Sequence, residues 1–244
     1  MKNYYTFENF IIDEGNRFAY LMAKEILEEK THRNNILFIY GDTGVGKTHL
    51  LKAILDKANK EKSSTKILYI SVDELVKELI NAIKDEEYNK FINKYEGLDI
   101  LLIDDFQCIA RKERIQEEIF NIFSELYNKK KQIVIASNSK PKNIQIFAER
   151  LKMNFEYGIL ANISMQTSET KEAILNNKVK SNKLNVDIEA IEYISKKADL
   201  NIKEMIGLIN TVDSYNKLLQ EEMTKERLDR IISDITKNHK NYNF

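Results

Sequence analysis

The octapeptide Gly41-Asp42-Thr43-Gly44-Val45-Gly46-Lys47-Thr48 follows an apolar run, Ile36–Tyr40, and opens a helical pattern at Lys47. Glycines at this spacing let the backbone curl so that its N–H groups converge, and the N-terminus of the helix adds a positive end. A strand running through such a turn into a helix is a phosphate-binding loop, and it commits the chain to an α/β fold. Gly41, Thr43, Gly44, Val45 and Gly46 are expected to wrap the phosphates of ATP or ADP, with His49 beside them on the first helical turn. The Lys47 ammonium would neutralise the β- and γ-phosphates, and the Thr48 hydroxyl would hold Mg²⁺. A glycine-rich turn that fits the pattern by chance lacks this strand-and-helix context.

Five short apolar runs read as strands: Asn35–Tyr40, Lys66–Ser71, Asp99–Ile103, Gln132–Ser137 and Tyr157–Ile163. Ile100–Ile103 and Ile133–Ala136 are apolar on both faces, as strands buried in a parallel sheet must be. Helical patterns lie at Arg17–Glu29, Lys47–Lys60, Val72–Lys84, Asp85–Tyr95 and Arg114–Asn128. The alternation predicts βαβ units and a three-layer αβα parallel sheet. Beyond Ile163 only helices follow, near Glu169–Asn182, Ile188–Lys197, Ile202–Leu219 and Lys225–Lys237, with caps expected at Ser168, Asp187, Asn201 (paired with Glu204) and Thr224. The expected organisation is a nucleotide-binding subdomain over residues 1–163, an all-helical subdomain over 164–237 and a flexible polar tail over 238–244.

The run Ile100–Ile103 ends in Asp104-Asp105. Carboxylates at the C-terminal end of a buried parallel strand sit on the ligand-binding edge of the sheet. Asp104 is expected to bind the Mg²⁺ ion and Asp105 to polarise an attacking water. Asn138 ends the strand Gln132–Ser137 on the same edge, where its amide could orient that water; as a lone signal, Asn at a strand end is also ordinary turn chemistry.

Composition narrows the partners. Lys+Arg and Asp+Glu number 38 each, so no global basic field announces nucleic acid, and any such contact needs a local patch. Cys108 is the one cysteine, which excludes an internal disulfide. His32, His49 and His239 have no metal-ligand spacing. There is no apolar leader at the N-terminus and no apolar run of membrane-spanning length, so the expectation is a soluble cytoplasmic protein.

Further motifs match in order: Thr6-Phe7-Glu8-Asn9-Phe10 with Gly15-Asn16-Arg17, Gly46-Lys47-Thr48-His49-Leu50, Leu102-Ile103-Asp104-Asp105-Phe106-Gln107, Lys112-Glu113-Arg114 with Gln116-Glu117-Glu118, and Glu149-Arg150-Leu151 with Phe155-Glu156-Tyr157-Gly158. Together they resemble the AAA+ domain of the bacterial replication initiator family DnaA, from about Tyr5 to Ile235. The resemblance implies that the segment around Phe7, Phe10 and Asn16 cups adenine, that Asn138 is the sensor 1 position and that the C-terminal helices form a lid. It implies that the paired helices from Val72 to Tyr95, with Lys112 and Arg114, belong to a face that touches single-stranded DNA. It also implies partners among other AAA+ subunits, either copies of this chain or a full-length initiator.

Three departures qualify the resemblance. Asn154 stands where the family carries its arginine finger, and Asn supplies no positive charge; Arg150 remains nearby in sequence. Lys203 stands at the sensor 2 arginine position, keeping the charge but losing the bidentate fork on phosphate. The sequence stops after the lid, so no helix-turn-helix domain for duplex DNA is expected. The start at Met1 and the two altered positions favour a natural short relative over an excised core. Hda-type regulators are such short relatives, but the clamp-binding peptide they carry is not found in Met1–Phe10. The expected function is nucleotide binding with weak or partner-dependent ATP hydrolysis in replication initiation or its control. The alternatives are a non-hydrolysing nucleotide-gated adaptor and a helicase-loader-type protein.

Overall fold

A computed structural model describes residues 5–28, 35–61, 64–110, 113–144, 155, 158–197, 199–219 and 223–240. The chain divides into two compact units, Met1–Met165 and Gln166–Phe244.

The first unit holds five strands, β1 (Ile36–Tyr40), β2 (Ile67–Ser71), β3 (Ile100–Asp104), β4 (Gln132–Ser137) and β5 (Ile159–Asn162). All pair in parallel in the order β2-β3-β4-β1-β5. Among its described residues the α-helices are α1 (Arg17–Glu25), α2 (Lys47–Glu61), α3 (Val72–Lys84), α4 (Tyr88–Glu96) and α5 (Glu113–Asn128).

Strand side chains alternate between the two faces, and each face is covered by its own set of helices. Phe38, Leu101, Ile103, Ile133 and Ile135 pack on one side with residues of α3, α4 and α5. Leu37, Ile39, Leu102, Val134 and Ala136 pack on the other with residues of α1 and α2. Every residue of β3 and β4 is buried, as expected of central strands in a sheet covered on both sides. Phe106, immediately beyond the β3 carboxylates, is fully buried against Phe38, Phe123 and Phe155, so an aromatic cluster anchors the turn that carries those acids.

Several element boundaries differ from expectation. The first helix stops at Glu25, where Leu27 and Glu28 turn back with i→i−3 bonds to Lys24 and Glu25. The fourth begins at Tyr88, because Asp85 closes α3 and Glu86 adopts φ 58°, a left-handed conformation no helix can carry through. The third opens with an unanticipated capping box: Ser71 Oγ accepts from Glu74 N, and a Glu74 carboxylate oxygen accepts from Ser71 N at 2.9 Å.

The second unit holds α6 (Ser168–Asn182), α7 (Ile188–Ser195), α8 (Ile202–Leu219) and α9 (Lys225–Lys240) around Leu175, Ile191, Ile194, Met205, Leu208 and Leu228. Thr167 rather than Ser168 caps α6, since its hydroxyl accepts from Thr170 N. Asp187 precedes α7 without a side-chain cap bond. Asn201 and Glu204 form the reciprocal pair expected of them: Glu204 N donates to Asn201 Oδ1 at 3.0 Å and Asn201 N to a Glu204 oxygen at 2.8 Å. The final helix runs on to Lys240, past the expected end at Lys237.

Candidate nucleotide-binding site

Parallel strands bring the ends of β1, β3 and β4 to one edge, and the segment Gly41–Gly46 leaves that edge to open α2. A Cβ on Gly41 would lie 2.1 Å from the Ile163 carbonyl oxygen, so only glycine fits there. Gly46 sits at φ +111° with Phe10 packed against it; a Cβ would lie 3.1 Å from the ring. Val45 is buried beneath the loop, while Thr43 is exposed and Gly44 partly so.

Lys47, 9% exposed, donates to the carbonyl oxygens of Gly41 and Asp42, both at 2.7 Å. Burial pushes its ammonium below the usual lysine range, opposed by the charges of Asp104, Asp105 and Asp42. Thr48, one residue on, donates its hydroxyl to Asp104 Oδ2 at 2.7 Å. Asp104 is 3% exposed, yet its carboxylate is fully engaged: Tyr69 OH donates to the same oxygen at 2.8 Å and Asp105 N donates to Oδ1 at 2.9 Å. Burial, then the Asp104 charge, holds the Tyr69 hydroxyl protonated far above its usual range.

The neighbouring acid behaves differently. Asp105 is exposed and left-handed, at φ 53° and ψ 43°. Its Oδ1 accepts from Gln107 Nε2 at 3.0 Å. The other end of that amide, Gln107 Oε1, accepts from Asn138 N at 3.0 Å and Ser137 Oγ at 3.3 Å. One side chain therefore links the turn after β3 to the end of β4. The Asn138 side chain accepts at Oδ1 from Ser139 Oγ at 3.1 Å.

Phe10, Tyr20, His49 and Tyr5 form a string of ring contacts, with centroids 5.2 Å apart for Phe10–His49 and 5.3 Å for Tyr5–His49. His49 Nε2 lies 2.8 Å from the Thr6 carbonyl oxygen, which can only accept, so Nε2 carries the proton. Burial depresses the imidazole pKa, with that hydrogen bond opposing. Asn16, 1% exposed, closes the segment before α1: its Oδ1 accepts from Asp13 N and its Nδ2 donates to the Ile11 carbonyl.

The structure thus brings Gly41, Thr43, Gly44, Val45, Gly46, Lys47, Thr48, Asp104 and Asp105 to one place, with Asn138 tied in through Gln107 and Phe10 and His49 alongside. Lys203 is exposed in the first turn of α8 in the second unit. Lys112, Arg150 and Asn154 lie outside the described residues, and of Arg114 only its place in α5 is described. Tyr69 was not singled out from sequence, and Gln107 was quoted only within a motif, with no role at the site. The parity of Tyr69 with Ser71 at the end of β2 carries a signal, but only once β2 is known to neighbour β3.

Thr48 and Asp104 offer hard oxygen donors of the kind Mg²⁺ takes alongside phosphates. Among the described residues no group of three His, Cys, Asp or Glu side chains could hold a metal by itself. No described helix is long and apolar enough to cross a membrane.

A family model described as the bacterial DnaA ATPase domain matches residues 1–162. The chain is 40% identical over 237 residues to the chromosomal replication initiator protein DnaA of Thermoanaerobacter sp. (strain X514), covering 96% of this chain and 54% of that protein. It therefore spans about half the length of the curated relatives it matches. Domain III of the Thermotoga maritima replication initiation protein DnaA superposes with a TM-score of 0.89 at 32% identity, over 96% of this chain and 98% of that one. A replication initiator DnaA bound to AMPPCP and single-stranded DNA superposes with a TM-score of 0.79 at 37% identity, over 94% of this chain and 68% of that one.

Proposed function

The chain belongs to the bacterial DnaA ATPase-domain family, and on that premise we propose that it binds ATP or ADP with Mg²⁺ at Gly41–Thr48 and Asp104 and acts in the initiation of chromosomal replication or its control. The observation that carries the proposal is the 2.7 Å hydrogen bond from Thr48 to Asp104, beside the buried ammonium of Lys47. Two segments 56 residues apart meet there, which supports reading them as a joint metal–phosphate site.

The loop N–H groups and the start of α2 would receive the phosphate oxygens, and the Lys47 ammonium would exchange its carbonyl partners for them. Thr48 and Asp104 would hold Mg²⁺, which when bound neutralises charge on the β- and γ-phosphates. Asp105 would accept a hydrogen bond from the attacking water, with Gln107 fixing its carboxylate and Asn138 orienting the water from β4. Phe10, with the segment closed by Asn16, would flank the base. Lys203 would serve as the cation of the lid.

Replacing Lys47 with Ala is expected to abolish nucleotide binding in an equilibrium titration with a fluorescent ATP analogue. Unchanged affinity would remove the site assignment.

A second, non-hydrolysing reading is favoured by Asn154. A neutral side chain at the finger position cannot stabilise transition-state charge, and a finger can be worth about 10³–10⁵ in rate. Single-turnover hydrolysis with and without single-stranded DNA separates a weak ATPase from a nucleotide-gated adaptor. Asn154→Arg should raise the rate in a preparation shown to be oligomeric; no gain there removes the finger account. Contact with other AAA+ subunits, single-stranded DNA contact at Lys112 and Arg114, and a cytoplasmic location complete the proposal. Support for the DNA contact comes from the relative bound to single-stranded DNA.

A further inference from the structure

We propose that Tyr69 is a positioning residue for the metal site, holding the Asp104 carboxylate in the orientation in which Asp104 and Thr48 together receive a Mg²⁺–nucleotide complex. The proposal rests on the reading of Lys47, Thr48 and Asp104 as the nucleotide site.

The geometry follows from strand register. Tyr69 pairs with Leu102 and Ser71 with Asp104 across β2 and β3, so Tyr69 and Asp104 project from the same face of the sheet. The long tyrosine side chain spans the intervening step and delivers its hydroxyl to Asp104 Oδ2 at 2.8 Å. Three donors from three separate elements then orient the carboxylate: Thr48 of α2, Tyr69 of β2 and the Asp105 N–H beyond β3. With Asp104 at 3% exposure, solvent has little access to replace a lost donor.

Among these donors Tyr69 has a distinct place. Thr48 belongs to the phosphate-loop helix, and the Asp105 N–H is fixed by the backbone. The Tyr69 hydroxyl comes from a neighbouring strand, outside both the loop and its helix, and donates to Asp104. Its ring packs against the apolar core on that face of the sheet, with the Lys52 ammonium of α2 5.4 Å from the centroid. Tyr69→Phe therefore removes the hydroxyl while leaving the ring packed.

A tyrosine that merely satisfies a buried acid would affect stability and all nucleotide binding alike. A positioning residue affects the part of binding that depends on the metal. The test is titration of a fluorescent ATP analogue onto the full chain in EDTA and in saturating Mg²⁺, with thermal melting recorded without nucleotide. Tyr69→Phe is expected to keep its EDTA affinity within about twofold while losing about tenfold of the Mg²⁺-dependent gain, the worth of one hydrogen bond to a charged acceptor. Asp104→Asn should lose the whole gain. Ser71→Ala, at the end of the same strand, should keep it and so controls for loosening of β2. An unaltered Mg²⁺ gain in Tyr69→Phe, an equal loss in EDTA and in Mg²⁺, or a matching loss in Ser71→Ala overturns the proposal. If the wild-type chain binds no nucleotide, the site reading itself fails; if it binds and only the Tyr69→Phe expectation fails, that reading stands.

Discussion

Gln107 donates its side-chain amide to the Asp105 carboxylate at 3.0 Å while its carbonyl end accepts from Asn138 N, also at 3.0 Å. An amide has a fixed polarity, with an acceptor at one end and donors at the other. No residue of the same length and opposite charge distribution can make both contacts.

Substitution at Gln107 is therefore expected to separate binding from turnover. Gln107→Leu should leave nucleotide affinity within about twofold and slow single-turnover hydrolysis about tenfold, because the carboxylate loses its fixed orientation. Gln107→Glu should be slower still, since it sets a second negative charge against Asp105. A parallel fall in affinity and rate would show that Gln107 holds the fold of the loop instead.

The depressed pKa of His49 gives stability a pH dependence. The unfolded chain takes up a proton near the ordinary histidine value of 6.5, while the buried ring resists it until lower pH. The unfolded state thus binds more protons in that window, so stability is intact above pH 6.5 and falls as pH drops toward the folded value. Urea midpoints at pH 7.5 and pH 5.5 should differ more for the wild type than for His49→Gln. Equal differences would mean that protonation of this ring is not resisted by the fold.

Two glycines should respond oppositely to alanine. Gly41→Ala drives a methyl into the Ile163 carbonyl and should cost about 2–3 kcal/mol. Gly207 lies within α8 with nothing within 4 Å of an added Cβ, so Gly207→Ala should gain about 0.5–1 kcal/mol. Denaturant unfolding of each variant checks the pair.

Removing the Asn201–Glu204 pair tests the second unit. Asn201→Ala should cost about 1 kcal/mol by unbinding Glu204 N at the start of α8. A change below a few tenths of a kcal/mol would mean that solvent replaces the cap at no cost.

The sheet was legible in the sequence because its central strands are apolar on both faces. Ile100–Ile103 and Ile133–Ala136 admit no solvent-facing alternative, and they fold as fully buried strands. The glycines of the loop and the acids after Ile103 were legible for the same reason: each must sit where a strand ends. What stayed hidden depends on which strand lies beside which. Tyr69 meets Asp104 only because β2 is paired to β3 in one register, and a shift of one residue would turn the ring to the other face. Gln107 meets Asn138 across the ends of β3 and β4, beyond a turn in which Asp105 is left-handed. The end of α4's lead-in was missed because Glu86 is left-handed too, a conformation its residue type does not advertise.

Ile163 closes β5 by donating its N–H to the Tyr40 carbonyl at 2.7 Å, and its own oxygen occupies the space where Gly41 would carry a side chain. Ser164, next along, donates to the Gly15 carbonyl at 3.0 Å. These are among the last residues before the second unit begins at Gln166. The entrance of the phosphate loop and the turn before α1 are thus both fastened to the stretch through which the chain leaves the first unit. Mechanically, the loop is hitched to the chain's own exit.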